Sequence, residues 1–260
     1  MIYITGDCHG DFRRFAKRRR IKLPFGLAKE DYVIICGDFG LLWGRDKEFQ
    51  YNREWLSGLP FTILWVQGNH ENYDMIAEYP IETWNGGSVR HIVRDKIILL
   101  ERGQVFHIGG RTFYAFGGAS SHDIQGGILD KDSPDYDSAR RWAISHDLPY
   151  RVRGYSWWEQ ELPTEAEMQE GRDNLEKVGY RVDYVISHCM SGSMQDKLGR
   201  YYVDVGFEDR LYERDVLTDY FDELEERLRY KHWFCGHYHI NLELDDKHTI
   251  LYEDFVPLLR

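Results

Sequence analysis

Five short segments of the sequence carry side chains that can bind metal ions and hydrolyse a bond. They are Gly6-Asp7-Cys8-His9-Gly10, Gly37-Asp38-Phe39-Gly40, Gly68-Asn69-His70-Glu71, Ser187-His188 and Gly236-His237-Tyr238-His239. Carboxylate oxygens, neutral imidazole nitrogens and an amide oxygen suit manganese, iron, zinc or cobalt. Asp7, His9, Asp38, Asn69, His188, His237 and His239 are too many donors for one tetrahedral ion. They suit two ions that share a bridging carboxylate, a pair that can clamp a phosphoryl group and acidify a bound water. Singly, each segment reads as an ordinary turn or a histidine satisfied by a carbonyl. What gives them weight is that all five recur at the same kind of place.

That place is the end of an apolar run. Met1–Thr5, Tyr32–Cys36, Phe61–Val66, Val182–Ile186 and His232–Cys235 precede the five segments. Such runs read as buried strands, and ligands in α/β folds bind beyond the carboxyl ends of strands. Helical spacing is expected over 11–20, 46–57, 138–146 and 208–230, and over 164–178 behind the capping box Thr164-Glu165-Ala166-Glu167. Val89–Val93 with Ile97–Leu100, and Val105–Ile108 with Thr112–Phe116, read as antiparallel hairpins, and Leu242–Leu244 with Thr249–Tyr252 as a closing one. With no repeat or linker, 1–260 reads as one α/β domain of two packed sheets with helices outside. The polar and aromatic stretch 119–163 reads as an insertion on the substrate side.

The chain has 260 residues, 42% hydrophobic and 30% charged, enough for a substantial core. A net charge of −11 excludes a protein that coats nucleic acid through bulk positive charge. No apolar run is long enough to span a membrane, and the opening residues lack a signal-peptide pattern. Four cysteines make no disulfide scaffold, so reduced thiols in the cytoplasm are expected. Cys36 and Cys235 read as buried packing residues, Cys8 and Cys189 as neighbours of the metal site that do not ligate.

The ordered series of motifs resembles the calcineurin-like metallophosphoesterase superfamily, from Asp7 to His239. The resemblance implies a four-layer αββα sandwich of two mixed β-sheets flanked by helices. It implies that Asp7, His9 and His239 hold a first divalent ion, that Asp38 bridges, and that Asn69, His188 and His237 hold a second. Manganese is the first expectation, with iron, zinc, nickel or cobalt as alternatives. Activated hydroxide would then attack a phosphoester, with His70 assisting the leaving group and Glu71 orienting His70. A scaffold that has lost catalysis is the alternative, opposed by the full donor set. Protein-phosphatase-like members carry an Asp-Arg pair after the second motif. Here the run is Asp38-Phe39-Gly40-Leu41-Leu42-Trp43, which argues against a protein serine/threonine phosphatase and toward diesters or nucleic acid over monoesters. Oligomeric state stays open.

Three further features are candidates for substrate contact. Gly117-Gly118-Ala119-Ser120-Ser121-His122-Asp123 can overhang the centre, with Ser121, His122 or Asp123 touching substrate. The basic run from Arg13 to Lys22 draws in anionic substrates, binds nucleic acid or is a solvated face. Trp142, Tyr150, Tyr155, Trp157 and Trp158 either stack a nucleotide base or pack the core.

Overall fold

The apolar runs form two sheets in the computed structural model, which describes residues 1–16, 27–206 and 212–258. In chain order the strands are β1 (Ile2–Thr5), β2 (Tyr32–Ile35), β3 (Thr62–Trp65), β4 (Ile81–Trp84), β5 (Gly87–Val93), β6 (Ile97–Leu100), β7 (Gln104–Ile108), β8 (Arg111–Phe116), β9 (Ile128–Leu129), β10 (Arg151–Val152), β11 (Tyr184–Ser187), β12 (His232–Cys235), β13 (Leu242–Asp245), β14 (His248–Ile250) and β15 (Val256–Leu258). The α-helices are α1 (Lys47–Ser57), α2 (Tyr73–Ala77), α3 (Tyr136–Ser145), α4 (Glu165–Lys177), α5 (Gly192–Asp204) and α6 (Val216–Arg227).

The first sheet has the order β15-β1-β2-β3-β6-β5-β4 and the second β13-β14-β12-β11-β8-β7. Side chains alternate across each strand, and both faces of the central strands of each sheet are covered. Ile2 and Ile4, Ile34, Leu64 and Val66 meet Phe106, Phe113, Ala115, Ile186 and Phe234 between the sheets. Tyr3, Val33, Ile35, Ile63 and Trp65 point the other way, onto Phe12, Phe15, Leu56, Met75 and Ile76. On the far side of the second sheet, Tyr114, Phe116, Val185 and Trp233 pack on Met168, Leu175, Leu198, Leu217, Phe221 and Leu224. Three apolar layers between four structural layers make the expected αββα sandwich.

Both expected hairpins form, but in different sheets. β5–β6 lies in the first, with β4 outside it at the edge, and β7–β8 closes an edge of the second, so the chain crosses between sheets at 101–103. The closing hairpin is β13–β14. Of the expected helix over 11–20, the described part is a 3-10 turn at Phe12–Phe15, and 17–26 lie outside the described residues. The helix expected over 208–230 starts at Val216, where the Asp215 carboxylate accepts the N–H groups of Leu217 and Thr218. Residues 207–211 are outside the described set. Helix α4 has its expected Thr164–Glu167 capping box.

Helix α5 was not among the expected helices, and its Gly192 and Gly199 are weak helix formers. Ser191 is its N-cap, and Met194, Leu198 and Tyr202 bury one face. Among the described residues, no helix is long and apolar enough to cross a membrane.

Candidate metal centre

Strands β1, β2 and β3 run parallel side by side, as do β8, β11 and β12. The carboxyl ends of the two trios bring the five motifs together where the sheets meet. Sharp turns follow each strand. His9, Asp38, His237 and His239 have φ of 48°, 48°, 70° and 52°, a left-handed region that non-glycine residues seldom occupy. The motif glycines make room for carboxylates. A Cβ on Gly68 would lie 2.0 Å from Asp38 Oδ1, and one on Gly236 would lie 2.2 Å from Asp7 Oδ1.

The donors form overlapping groups. Asp7, His9 and His239 make one, Asp7, Asp38 and His188 a second, and His9, Asp38 and His70 a third; within each, ligand atoms lie within 4.8 Å of one another. His239 Nε2 is 3.3 Å from Asp7 Oδ2 and 2.9 Å from His9 Nε2. His188 Nε2 is 3.3 Å from Asp38 Oδ2 and 3.1 Å from Asn69 Oδ1. His188 Nδ1 lies 2.7 Å from the Cys36 carbonyl oxygen, so it carries the proton and leaves the Nε2 lone pair for the centre. His237 places its backbone N–H on Asp7 Oδ1 at 2.9 Å, while its ring Nε2 is 2.8 Å from His122 Nε2.

Charge shows whether cations fit. Asp7 and Asp38 are 0% and 1% exposed, and their carboxylates meet imidazoles and backbone N–H groups. Burial works against both charges, yet His188 and the neighbouring hydrogen bonds hold Asp7 well below the carboxylate range and Asp38 at about 2. Burial opposes a charge on His188 too, but Asp38 and Asp7 outweigh it and lift its pKa to about 9. Without ions, a proton on His188 therefore serves as counter-charge to two buried carboxylates. Divalent ions supply that charge better, and oxygen and neutral nitrogen donors converge to receive them. The four cysteines are free and buried, and burial lifts the Cys8 thiol to about 12, so none is poised as a thiolate ligand.

The polar neighbours extend into the segment 119–163. Asn69 Nδ2 donates to Ser121 Oγ at 3.3 Å, and that hydroxyl donates to Glu161 Oε2 at 2.7 Å. The chain of bonds turns the Asn69 oxygen toward His188. Arg102 fixes Glu161's surroundings by donating to the carbonyls of Gly117 and Gln160 at 2.8 and 2.6 Å. Asp123 pairs with Arg151 at 2.6 Å, and Arg151 Nη2 lies 3.0 Å from His70 Nδ1. Glu71 Oε1 accepts the Phe39 N–H at 3.0 Å, which ties it to the Asp38 loop; Arg151 and the edge-on ring of His9 lie against the His70 ring. Burial, with Arg151 and His9 adding repulsion against the pull of Asp38, lowers the His70 pKa to about 4.

Arg151 and Glu161 escaped the sequence reading, because neither follows a long strand or sits in a motif. The missing Asp-Arg pair was the one signal that a cation had to come from elsewhere. Of the basic run, Arg13 pairs with Asp11 and Arg14 donates to the carbonyls of Gly6 and Tyr252; Lys17, Arg18, Arg19, Arg20 and Lys22 lie outside the described residues. Among the aromatics, Trp158 is buried with Nε1 on Asp74, whereas Trp142 and Tyr155 are exposed.

No curated protein matches the chain. A phosphopantetheinyl hydrolase from Mycobacterium tuberculosis is similar in structure, with a TM-score of 0.43 and 12% identity over 96% of this chain and 87% of that one. The family model for calcineurin-like phosphoesterases matches residues 1–241. With that match spanning the five strand-end motifs, the chain belongs to the calcineurin-like phosphoesterase family.

Proposed function

We propose that the protein is a metal-dependent hydrolase of a phosphoester. The observation that carries this is the pair of buried carboxylates, Asp7 and Asp38, ringed by imidazoles. Asp7, His9 and His239 would hold one ion, Asp38 both, and Asn69, His188 and His237 the other. Two divalent ions bound there supply Lewis-acid polarisation of phosphoryl oxygens and acidify a water. Oxygen and imidazole donors without thiolate suit manganese first, then iron, zinc, nickel or cobalt.

The protein's own side chains do the rest. The Cys36 carbonyl fixes the tautomer of His188, and Ser121 with Glu161 fixes the amide of Asn69. His70 is neutral at pH 7, so it carries a single ring N–H. That N–H donates to the departing oxygen and stabilises its developing charge. Glu71, tied to Phe39, steadies the Asp38 loop and with it the bridging carboxylate. His122, beside His237, faces the same space and is placed to meet the substrate.

A panel of aryl mono- and diesters, nucleotides, cyclic nucleotides and oligonucleotides, run with Mn, Ni, Co, Fe and Zn, tests the reading. Turnover of at least one ester that disappears in Asp38→Asn supports it. Full metal occupancy with no turnover on any ester would sink it and leave a binding scaffold.

A further inference from the structure

Arg151 is the basic side chain that touches the His70 ring, and its surroundings fix how it points. It lies on β10, which pairs in parallel with β9 through Arg151 and Ile128. Its backbone N–H donates to the Gly127 carbonyl at 3.1 Å. The residue is 9% exposed. Nε and Nη2 form a fork on the Asp123 carboxylate at 2.8 and 2.6 Å, and Nη1 donates to the Ser156 carbonyl at 3.2 Å. Nη2 also lies 3.0 and 3.1 Å from the two nitrogens of the His70 ring. Being almost equidistant from both, it is shared between the two nitrogens. A structural bond to His70 would favour one nitrogen. Asp123 and Ser156 anchor the guanidinium, and the N–H of Nη2 that Asp123 does not take is turned to His70, where a ligand seated beside that ring would meet it.

We infer that Arg151 is the phosphate-oxygen clamp of this site, and that it selects phosphomonoesters. The inference rests on the hydrolase reading above. His9, Asp38 and His70 share one group of donor atoms, so a phosphoryl group seated on the cluster beside His70 has its outer oxygens within reach of Arg151. Guanidinium N–H groups and phosphate oxygens make strong, directional, charge-assisted bonds. A monoester offers three non-bridging oxygens, whereas a diester offers two and places an esterified oxygen with its substituent at the third position. A fixed donor at that position is matched by the monoester and blocked by the diester. Asp123 neutralises much of the guanidinium charge, so selection comes from donor geometry rather than bulk attraction. Segment 119–163 thus supplies the arginine that the second motif lacks, and the preference for diesters drawn from that absence is reversed.

The test compares wild type, Arg151→Ala and Arg151→Lys, each metal-loaded, on p-nitrophenyl phosphate and bis-p-nitrophenyl phosphate. Calorimetry with inorganic phosphate is run on the same proteins. Arg151→Ala should lower kcat/KM for the monoester about 100-fold or more and lower the monoester-to-diester ratio of kcat/KM by at least that factor, because the diester loses no contact and gains room. Added guanidinium should restore part of the monoester rate. Arg151→Lys keeps the charge and the packed stem, so it guards against misfolding, and it should still lose most of the monoester rate. Phosphate affinity should fall about tenfold in Arg151→Ala. Equal losses on both esters, or unchanged phosphate binding, would overturn the inference. If wild type turns over neither aryl ester, the hydrolase reading is decided on the wider panel of esters above, and phosphate binding alone upholds or overturns the clamp.

Discussion

Replacing Glu161 by Gln should change how the stability of the metal-free protein depends on pH. The Glu161 side chain is 2% exposed. Burial lifts its pKa from 4.5 to about 8, outweighing the Ser121 hydroxyl and Trp158 N–H that favour the carboxylate. In the unfolded chain the group ionises near 4.5. Between pH 4.5 and about 8, unfolding therefore releases a proton that the folded protein holds. Stability from this group is fully present below pH 4.5 and is lost as pH rises to about 8, at about 1.4 kcal/mol per pH unit. Over that window the loss is on the order of 4–5 kcal/mol, and it is flat above. Glutamine has no proton to lose. The difference in stability between Glu161→Gln and wild type should thus widen in the variant's favour from pH 5 to 8. Any change in the amide's own hydrogen bonds adds a constant offset, so the slope is the observable. Urea unfolding with chelator present, at unit steps from pH 5 to 9, measures it, and other titrating groups cancel in the difference. Parallel curves for the two proteins would refute the reasoning.

Asp38→Asn and His70→Ala should each abolish hydrolysis of an aryl phosphoester; near-wild-type rates in metal-controlled buffer would remove the role given to that residue. Saturating manganese, at 100 times its Kd, should raise unfolding stability by about 2.7 kcal/mol, reversed by chelator. At pH 8 its binding should release protons into an indicator dye, because His188, held at about 9, must deprotonate to ligate. Binding without proton release would count against His188 as a ligand. Gly68→Ala places a Cβ 2.0 Å from Asp38 Oδ1 and should weaken metal binding about 10- to 100-fold, as a competition titration would report. Unchanged affinity would mean that the loop yields and the close approach is not required.

The sandwich was legible where strands are buried on both faces. The runs at β1, β2, β3, β11 and β12 are predominantly apolar because sheet and helices cover them, a pattern unlike that of a surface strand. Elements held mainly by tertiary contacts were less legible. Edge strand β15 contains Pro257, which a strand reading rejects, yet at an edge against β1 the missing N–H matters little. Helix α5 carries turn-forming residues at its start and succeeds because Met194, Leu198 and Tyr202 bury one face. The chain's switch from one sheet to the other at 101–103 leaves no local mark, since hairpins in the same sheet or in different sheets read alike.

The site divides in the same way, and the division has a chemical reason. Metal donors must sit where the backbone can turn and approach closely, so glycine-bordered strand ends betray them in sequence. Groups that aim those donors face no such demand. Ser121, Glu161 and Arg151 act through side-chain geometry, and any backbone that brings them near would serve. Their sequence signal is correspondingly weak: 119–163 shows only polar and aromatic composition, although Ser121 and Asp123 were singled out within it. What the structure adds is their order. Asn69 is aimed through Ser121 by Glu161, and His70 faces an arginine held by Asp123. Segment 119–163 therefore borders the candidate site. It puts a buried carboxyl behind Asn69 and a guanidinium beside His70. Substrate choice should accordingly vary with this segment, while metal binding stays with the strand ends. Exchanging the segment between family members should move the preference among phosphoesters and leave the metal stoichiometry unchanged; a change in stoichiometry with no change in preference would reverse that assignment.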